Sequence, residues 1–129
     1  MKSILNRGDF MSYKIAVASS DGKVVNQHFG HSRRFIIFEV DGDENWGFVE
    51  DRITTPACSF GEHDESSMQS VVKLLSDCSS VIVSQIGFGA VQELKTAGIN
   101  AFTIPKYIDK ALQEVIRLNF FEKVENLYL

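Results

Sequence analysis

The apolar residues of this chain recur at two spacings, and each spacing predicts a different kind of element. Short runs rich in β-branched and aromatic residues predict strands over 13–19, 34–40, 46–54, 80–84 and 100–104. The run at 34–40 is apolar almost throughout, which is typical of a strand covered on both faces. The run at 46–54 alternates between two sets of residues instead, which is typical of a strand.

Three later segments carry apolar residues three and four positions apart, which is the spacing of a helix with one buried face. These segments are 66–77, 91–97 and 108–116. Either Asp64 or Ser66 can cap the first of these helices, and Ser66 has Gln69 at the spacing of a capping box. Residues 119–129 form a tail of mixed character with no clear prediction of their own.

The predicted order is three strands, a helix, a strand, a helix, a strand and a helix. This order is typical of an α/β fold with a mixed five-stranded sheet, made of an antiparallel three-strand meander and two parallel strands. Helices are expected on both faces of the sheet. Residues 1–12 show no period and are predicted to be a flexible extension, so the single domain is expected to span 13–129.

Composition narrows the class of protein. The chain has 129 residues and a formal net charge of −4, and its only basic pair is Arg33-Arg34. This argues against nucleic acid as a partner, because phosphate binding needs clustered cations. No apolar run is long enough to span a membrane. With two cysteines and no secretory signal in the first dozen residues, the expected location is a reducing cytoplasm with free thiols.

The candidate chemistry begins in the loop after the first strand. His28 and His31 lie three residues apart there with Gly30 between them. Imidazole is the commonest metal ligand and titrates nearest neutral pH. The plainer alternative is that both histidines are ordinary polar loop residues, because the spacing lacks the specificity of a full metal signature.

Two further loops carry residues that suit the same chemistry. Cys58 and His63 precede the first helix, and Gly87 and Gly89 precede the second. A thiolate suits iron–sulfur species and soft metals, and backbone amides at a helix start bind anions. The alternatives are incidental loop residues for the first pair and simple turn formers for the glycines. Cys78 lies in an apolar context and is expected in the core.

Ligands of open α/β sheets sit beyond the carboxyl ends of the parallel strands. The His28 loop leaves the first strand at that end, and the Gly87 loop leaves the fourth. The first helix must run antiparallel to the fourth strand, so its preceding loop, with Cys58, is expected at the same edge. The sequence therefore predicts one shared site.

The residues also resemble a known family. The strand at 14–19, the His28-Phe29-Gly30 element and the Ile86-Gly87 turn look like those of the dinitrogenase iron-molybdenum cofactor biosynthesis family. The resemblance covers residues 13 to 118, and it implies a ribonuclease H-like motif. The combination of the two glycine-containing elements at this separation carries the specificity, because neither element is distinctive alone.

The resemblance implies a small non-enzymatic carrier or chaperone that binds an iron–sulfur cluster or iron–molybdenum cofactor precursor during nitrogenase cofactor assembly. The binding residues it implies are His28, His31, Cys58, His63 and Gly87, with His28, Cys58 and His63 as metal ligands. Its partners would be other cofactor-assembly proteins or apo-nitrogenase, with neither nucleic acid nor a membrane involved.

Two alternatives stay open at this point. One is a regulatory or interaction domain of the same fold that binds no cluster. The other is a ribonuclease H-like nuclease, which the sequence favours less because two-metal phosphoryl transfer needs several converging carboxylates. Asp21 ends the first strand and Glu39 lies near the end of the second, which is too few.

Overall fold

A five-stranded mixed sheet forms the centre of the computed structural model, with strand order β3-β2-β1-β6-β7. The structure describes residues 12–55, 58–59, 62–63 and 65–127. The elements are β1 (Tyr13–Ala18), β2 (Arg34–Val40), β3 (Trp46–Ile53), β4 (Cys58–Ser59), β5 (Glu62–His63), α1 (Glu65–Leu74), β6 (Ser80–Val83), α2 (Phe88–Thr96), β7 (Asn100–Thr103) and α3 (Ile108–Leu127).

The predicted topology is confirmed. β1 pairs antiparallel with β2, and β2 pairs antiparallel with β3. β6 and β7 continue the sheet on the other side of β1 as parallel strands. The hairpin between β2 and β3 is closed by the Asp41 carboxylate, which accepts hydrogen bonds from the amides of Asp43 (2.9 Å) and Asn45 (3.0 Å).

Each face of the sheet packs against helices, as the alternation of apolar residues requires. The face covered by α1 and α2 buries Ala16, Phe35, Ile37, Met68, Leu75, Val81 and Leu94, among others. The face covered by α3 buries Ile15, Val17, Ile36, Ile82, Leu112 and Val115, among others. Cys78 belongs to the first cluster and is 4% exposed. Burial raises the pKa of its thiol to about 12, which confirms it as a core residue.

β3 is the exception to this coverage. Its pairing with β2 shifts register between Ile37 and Phe38. β3 is the last strand at this side of the sheet, and most of its residues are exposed. Phe48 is 62% exposed and Ile53 is 71% exposed. β3 is thus an edge strand with little cover on either face, although helices were expected on both faces of the sheet.

Two other predictions differ from the structure in detail. The tail at 119–129 was expected to have mixed character, but α3 continues as a helix to Leu127. No glycine or proline interrupts the chain after Pro105, so nothing stops this helix. α1 ends at Leu74, three residues before the predicted end, and the chain then turns.

The predicted extension at 1–12 lies outside the described residues except for Ser12. None of the helices in the described ranges combines the length and the hydropathy of a membrane-spanning segment.

Candidate cluster-binding site

A tight polar turn follows β1 at the predicted edge of the sheet. The Asp21 carboxylate accepts hydrogen bonds from the amides of Lys23 (2.9 Å) and Val24 (3.1 Å) and from the Ser19 hydroxyl (3.1 Å). These hydrogen bonds, those of the amides first, lower the pKa of Asp21. Gly22 takes a φ of +76°, which glycine adopts readily. The turn sends the chain out to the His28 loop.

Backbone pairing holds the His28 loop against the end of β6. The amide of Phe29 donates to the Gln85 carbonyl (2.9 Å), and the amide of Ser84 donates to the Gln27 carbonyl (3.0 Å). Phe29 is fully buried and its ring lies 5.8 Å from that of Phe35. Burying a phenylalanine side chain stabilises a fold by about 1.5–3 kcal/mol, so this residue anchors the loop.

His28 itself caps the single 3-10 turn formed by Phe29–His31. Its Nδ1 accepts a hydrogen bond from the amide of Gly30 at 2.9 Å. Its ring stacks on that of His31, with centroids 4.7 Å apart and planes inclined by 26°. Burial, and secondly the neighbouring His31, lowers the pKa of His28. Both effects favour a neutral ring near pH 7.

The Cys58 segment reaches the same place. Cys58 and His63 are direct partners in the two-residue strands β4 and β5, which the sequence predicted only as an ordered loop. Cα atoms of β4 come within 8 Å of those of the 3-10 turn and of α1. The structure describes these two residues by their backbone alone, so the roles of their side chains stay predictions.

The start of α2 completes this edge. Gln85, which pairs with His28, lies two residues before Gly87. Gly87 caps α2 in an extended conformation (φ −83°, ψ 158°), and among the described side chains none caps the helix start. An added Cβ at Gly87 or Gly89 would meet no atom within 4 Å. Turn geometry therefore does not require glycine at position 87, contrary to the turn-former interpretation.

These contacts confirm that the His28, Cys58 and Gly87 segments lie at one edge of the sheet. They do not assemble a complete ligand set from the described side chains. Within that part of the chain, no three side chains of His, Cys, Asp or Glu come close enough to hold a metal ion. Of the predicted set, His28 and His31 come together through their rings, and Cys58 and His63 are paired through their backbones.

Sequence reasoning missed two features beside the site. The basic pair helps to line a cavity of about 240 Å³ with Ser19, Ser20 and His31. One member, Arg34, donates to the Ser20 carbonyl (3.2 Å) and pairs with Asp51. The adjacency of the pair to His31 in sequence was the available signal. The other feature is Phe88, which is 79% exposed between Gly87 and Gly89.

A larger cavity lies elsewhere and does not suit the predicted chemistry. It measures about 570 Å³ between α2, β7 and α3, and its ionisable lining residues are Lys95 and Glu122. It contains neither histidine nor cysteine among its lining residues. The candidate site is therefore the His28 edge rather than this cavity.

Comparison with known proteins identifies the family. The model of the family described as "dinitrogenase iron-molybdenum cofactor" matches residues 11–118. The chain belongs to this family. The resemblance noted in the sequence is thereby confirmed, and so is the α/β architecture, while the ribonuclease H-like label stays a prediction.

Members of the dinitrogenase iron-molybdenum cofactor family from several organisms align with the chain. FeMo cofactor biosynthesis protein NifB of Frankia alni is 38% identical over 105 residues, covering 78% of this chain and 20% of NifB. NifB of Azotobacter vinelandii is 33% identical over 116 residues, and the match covers 85% of this chain and 23% of that NifB. The chain thus spans about a fifth of the length of these curated relatives.

The solved structures show the same fold at lower identity. The apo form of the orange protein of Desulfovibrio gigas superposes with a TM-score of 0.54 at 17% identity, and the match covers 81% of this chain and 88% of the orange protein. This likeness supports the architecture alone.

Proposed function

We propose that this chain is a small non-enzymatic carrier or chaperone for an iron–sulfur cluster or iron–molybdenum cofactor precursor in nitrogenase cofactor assembly. Family membership and the name of the relatives, FeMo cofactor biosynthesis protein, support a role in assembling this cofactor. Because the chain matches only part of NifB, the proposal concerns this domain and not the activity of the longer protein. Other assembly proteins or apo-nitrogenase would receive the cargo.

The convergence of the His28, Cys58 and Gly87 segments is the observation that carries the proposal. Pairing with Gln85 fixes the backbone at His28, and β4 brings Cys58 beside the same 3-10 turn. The β4–β5 register sets His63 opposite Cys58, so one hairpin brings a cysteine and a histidine to the same edge of the sheet. Thiolate and imidazole both suit iron–sulfur cargo.

The start of α2 suits the charge of such cargo. Its uncapped amides and the open surface at Gly87 and Gly89 leave room for an anionic group. The site lies at an exposed edge of the sheet, from which a bound cluster can pass to a recipient protein. A carrier must release its cargo, and an open site favours release.

The carboxylates of the described residues argue for a carrier over a nuclease. Asp21 is engaged by two backbone amides and the Ser19 hydroxyl, and no acidic cluster accompanies it among the described side chains. The second candidate function is an interaction domain without a cluster. It is favoured by the same observation, because the described side chains alone do not form a ligand set.

Anaerobic reconstitution tests the proposal against this alternative. The full chain is incubated with ferrous iron and sulfide, desalted, and analysed for bound iron, bound sulfide and visible absorption. We expect the wild type and Cys78→Ala to retain a cluster, and Cys58→Ala to lose it. Cys78 is the matched control because its thiol is buried in the core.

Release is tested in a second step. The loaded protein is mixed with an apo-ferredoxin, and the visible spectrum of the separated acceptor reports transfer. A folded wild-type protein that retains no cluster would contradict the carrier proposal and favour the interaction domain. A loaded protein that never transfers its cluster would contradict the carrier role alone.

A further inference from the structure

The hydrogen bond on Nδ1 of His28 fixes which nitrogen of the ring carries the proton. A backbone amide can only donate, so the Gly30 amide at 2.9 Å requires a lone pair on Nδ1. The neutral ring therefore holds its proton on Nε2. In this state Nε2 has no lone pair to offer a metal.

From this geometry we propose that His28 meets the cargo as a hydrogen-bond donor through Nε2–H, and does not coordinate the metal. The inference rests on the proposed carrier function and specifies how its site works. Acceptors for such a donor are the sulfides of a metal–sulfur cluster, whose hydrogen bonds also tune cluster properties. The cargo class is thus a preassembled cluster that brings its own sulfide, and not a bare metal ion.

Coordination through Nε2 would require the ring to change state. The proton would move to Nδ1, where it would face the Gly30 amide proton across the same 2.9 Å. Two donors cannot share that contact, so the hydrogen bond would break. Coordination would therefore cost the side-chain cap of the turn, which then keeps only its backbone hydrogen bond from the His31 amide to the His28 carbonyl (3.0 Å).

The surroundings of His28 resist such a change. Strand-like pairing with Gln85 fixes its backbone, and the next residue, Phe29, is fully buried. The stacked ring of His31 occupies one face of the imidazole at 4.7 Å. His28 is therefore held in one orientation before any cargo arrives, as a preformed donor should be.

A pair of substitutions separates donation from coordination. His28→Gln keeps an N–H donor on a side chain of similar reach, but it removes the imidazole nitrogen that could bind a metal. His28→Ala removes both. If His28 donates, we expect His28→Gln to retain the reconstituted iron–sulfur cluster within about threefold of the wild type, whereas His28→Ala weakens retention at least about tenfold.

Spectroscopy of the reduced cluster gives a readout that does not depend on affinity. Pulsed electron paramagnetic resonance detects a nitrogen bound directly to iron by its strong magnetic coupling. We expect the wild type and His28→Gln to show the same nitrogen couplings. A strong coupling that is present in the wild type and absent from His28→Gln would overturn the proposal, as would an equal loss of the cluster in both variants.

The tautomer is tested on the cluster-free protein by two-bond ¹H–¹⁵N nuclear magnetic resonance above pH 7. We expect a proton on Nε2 of His28, and a proton on Nδ1 would overturn the inference. Circular dichroism and thermal unfolding establish that both variants are folded. A folded wild type that binds no cluster contradicts the carrier function itself. If the wild type binds a cluster and both variants lose it to the same extent, only the donor role is contradicted.

Discussion

The His28 edge and the junction between β3 and α1 both contain ionisable side chains, but the two regions use them in opposite ways. At the junction, Arg52 donates to both oxygens of Asp77 (2.7 and 2.9 Å), to the Leu74 carbonyl (2.8 Å) and to Glu50. At the edge, the His28 ring makes one hydrogen bond within the described residues. The donors of Arg52 are thus satisfied within the protein, whereas the His28 ring keeps its Nε2–H available for a ligand.

The pKa values follow the same division. The Arg52 guanidinium lowers the pKa of Asp77 to about 2, and Asp77 raises the pKa of Arg52. Burial lowers the pKa of His28 instead, which favours its uncharged form. The ion pairs that are satisfied within the protein thus lie away from the candidate site, and the ring of His28 is left for a ligand.

The largest effect on stability is expected at the junction. Arg52→Ala removes the hydrogen bonds to Asp77, Glu50 and Leu74 and should lower the free energy of unfolding by about 2 kcal/mol. The matched control is Arg34→Ala, whose pair with Asp51 is more exposed and should contribute at most about 1 kcal/mol.

Urea denaturation measures both variants, and anaerobic reconstitution measures their function. Cluster retention by Arg52→Ala should match the wild type under conditions where the variant is folded. Equal stability losses in the two arginine variants would contradict the distinction between a saturated and an exposed pair.

Substitution of His28 is expected to affect cluster binding more than stability. His28→Ala leaves the Gly30 amide without its acceptor, which should lower the free energy of unfolding by about 1 kcal/mol or less. Retention of the iron–sulfur cluster should fall by at least about 1.4 kcal/mol, which is tenfold in affinity. Thermal unfolding and iron analysis of the same preparation check both numbers. Destabilisation larger than that of Arg52→Ala would show that His28 is mainly structural.

The pH dependence of stability should show two separate windows. The pKa of Asp77 falls from 3.8 in the unfolded chain to about 2 in the fold, so its contribution is present above pH 4 and is lost as the pH falls through about 2. The pKa of His28 is lowered from its ordinary 6.5 in the fold. Stability should therefore also fall as the pH falls below 6.5, because the unfolded chain binds the proton more readily. Urea midpoints between pH 2 and 8 report both windows.

Substitution assigns each window to its residue. Asp77→Asn should reduce the acid window to the part that the lowered pKa of Asp21 contributes and leave the neutral window. His28→Gln should remove the neutral window and leave the acid one. A neutral window that persists in His28→Gln would assign that pH dependence to another group.

The smallest effect on stability is expected at Gly87. Its extended φ and open surroundings predict that Gly87→Ala changes the free energy of unfolding by about 0.5 kcal/mol or less. Gly98 is the matched control, because its φ of +82° strains any other residue, and Gly98→Ala should cost about 1 kcal/mol. Reduced cluster retention in a fully stable Gly87→Ala protein would show that the open surface is used by the cargo.

Features that depend on neighbouring residues in the sequence could be predicted, and features that depend on distant residues could not. The strands and their order follow from local patterns and from the rules of strand connection, and both are confirmed. The convergence of the Cys58 and His28 segments followed from that order. The extent of α3 was missed because its amphipathic pattern weakens after Leu118, although no residue there ends a helix.

The contacts that distinguish the two regions could not be predicted in the same way. Arg52 and Asp77 are 25 residues apart, and their pairing depends on how α1 ends against β3. The Gly30 bond to Nδ1 depends on the side-chain rotation of His28 inside a 3-10 turn. Such features require atomic positions, since many sequences with the same pattern would lack them.

The exposed edge strand β3 has a consequence for behaviour at high concentration. Among the described strands β3 pairs on one side only, so its other side could accept a strand from another molecule, and the exposed Phe48 and Ile53 would favour such growth. Glu50, Asp51 and Arg52 interrupt the apolar positions at mid-strand, and like charges opposed across a second copy repel. Glu50 and Asp51 are therefore expected to oppose edge-to-edge association of β3 between molecules.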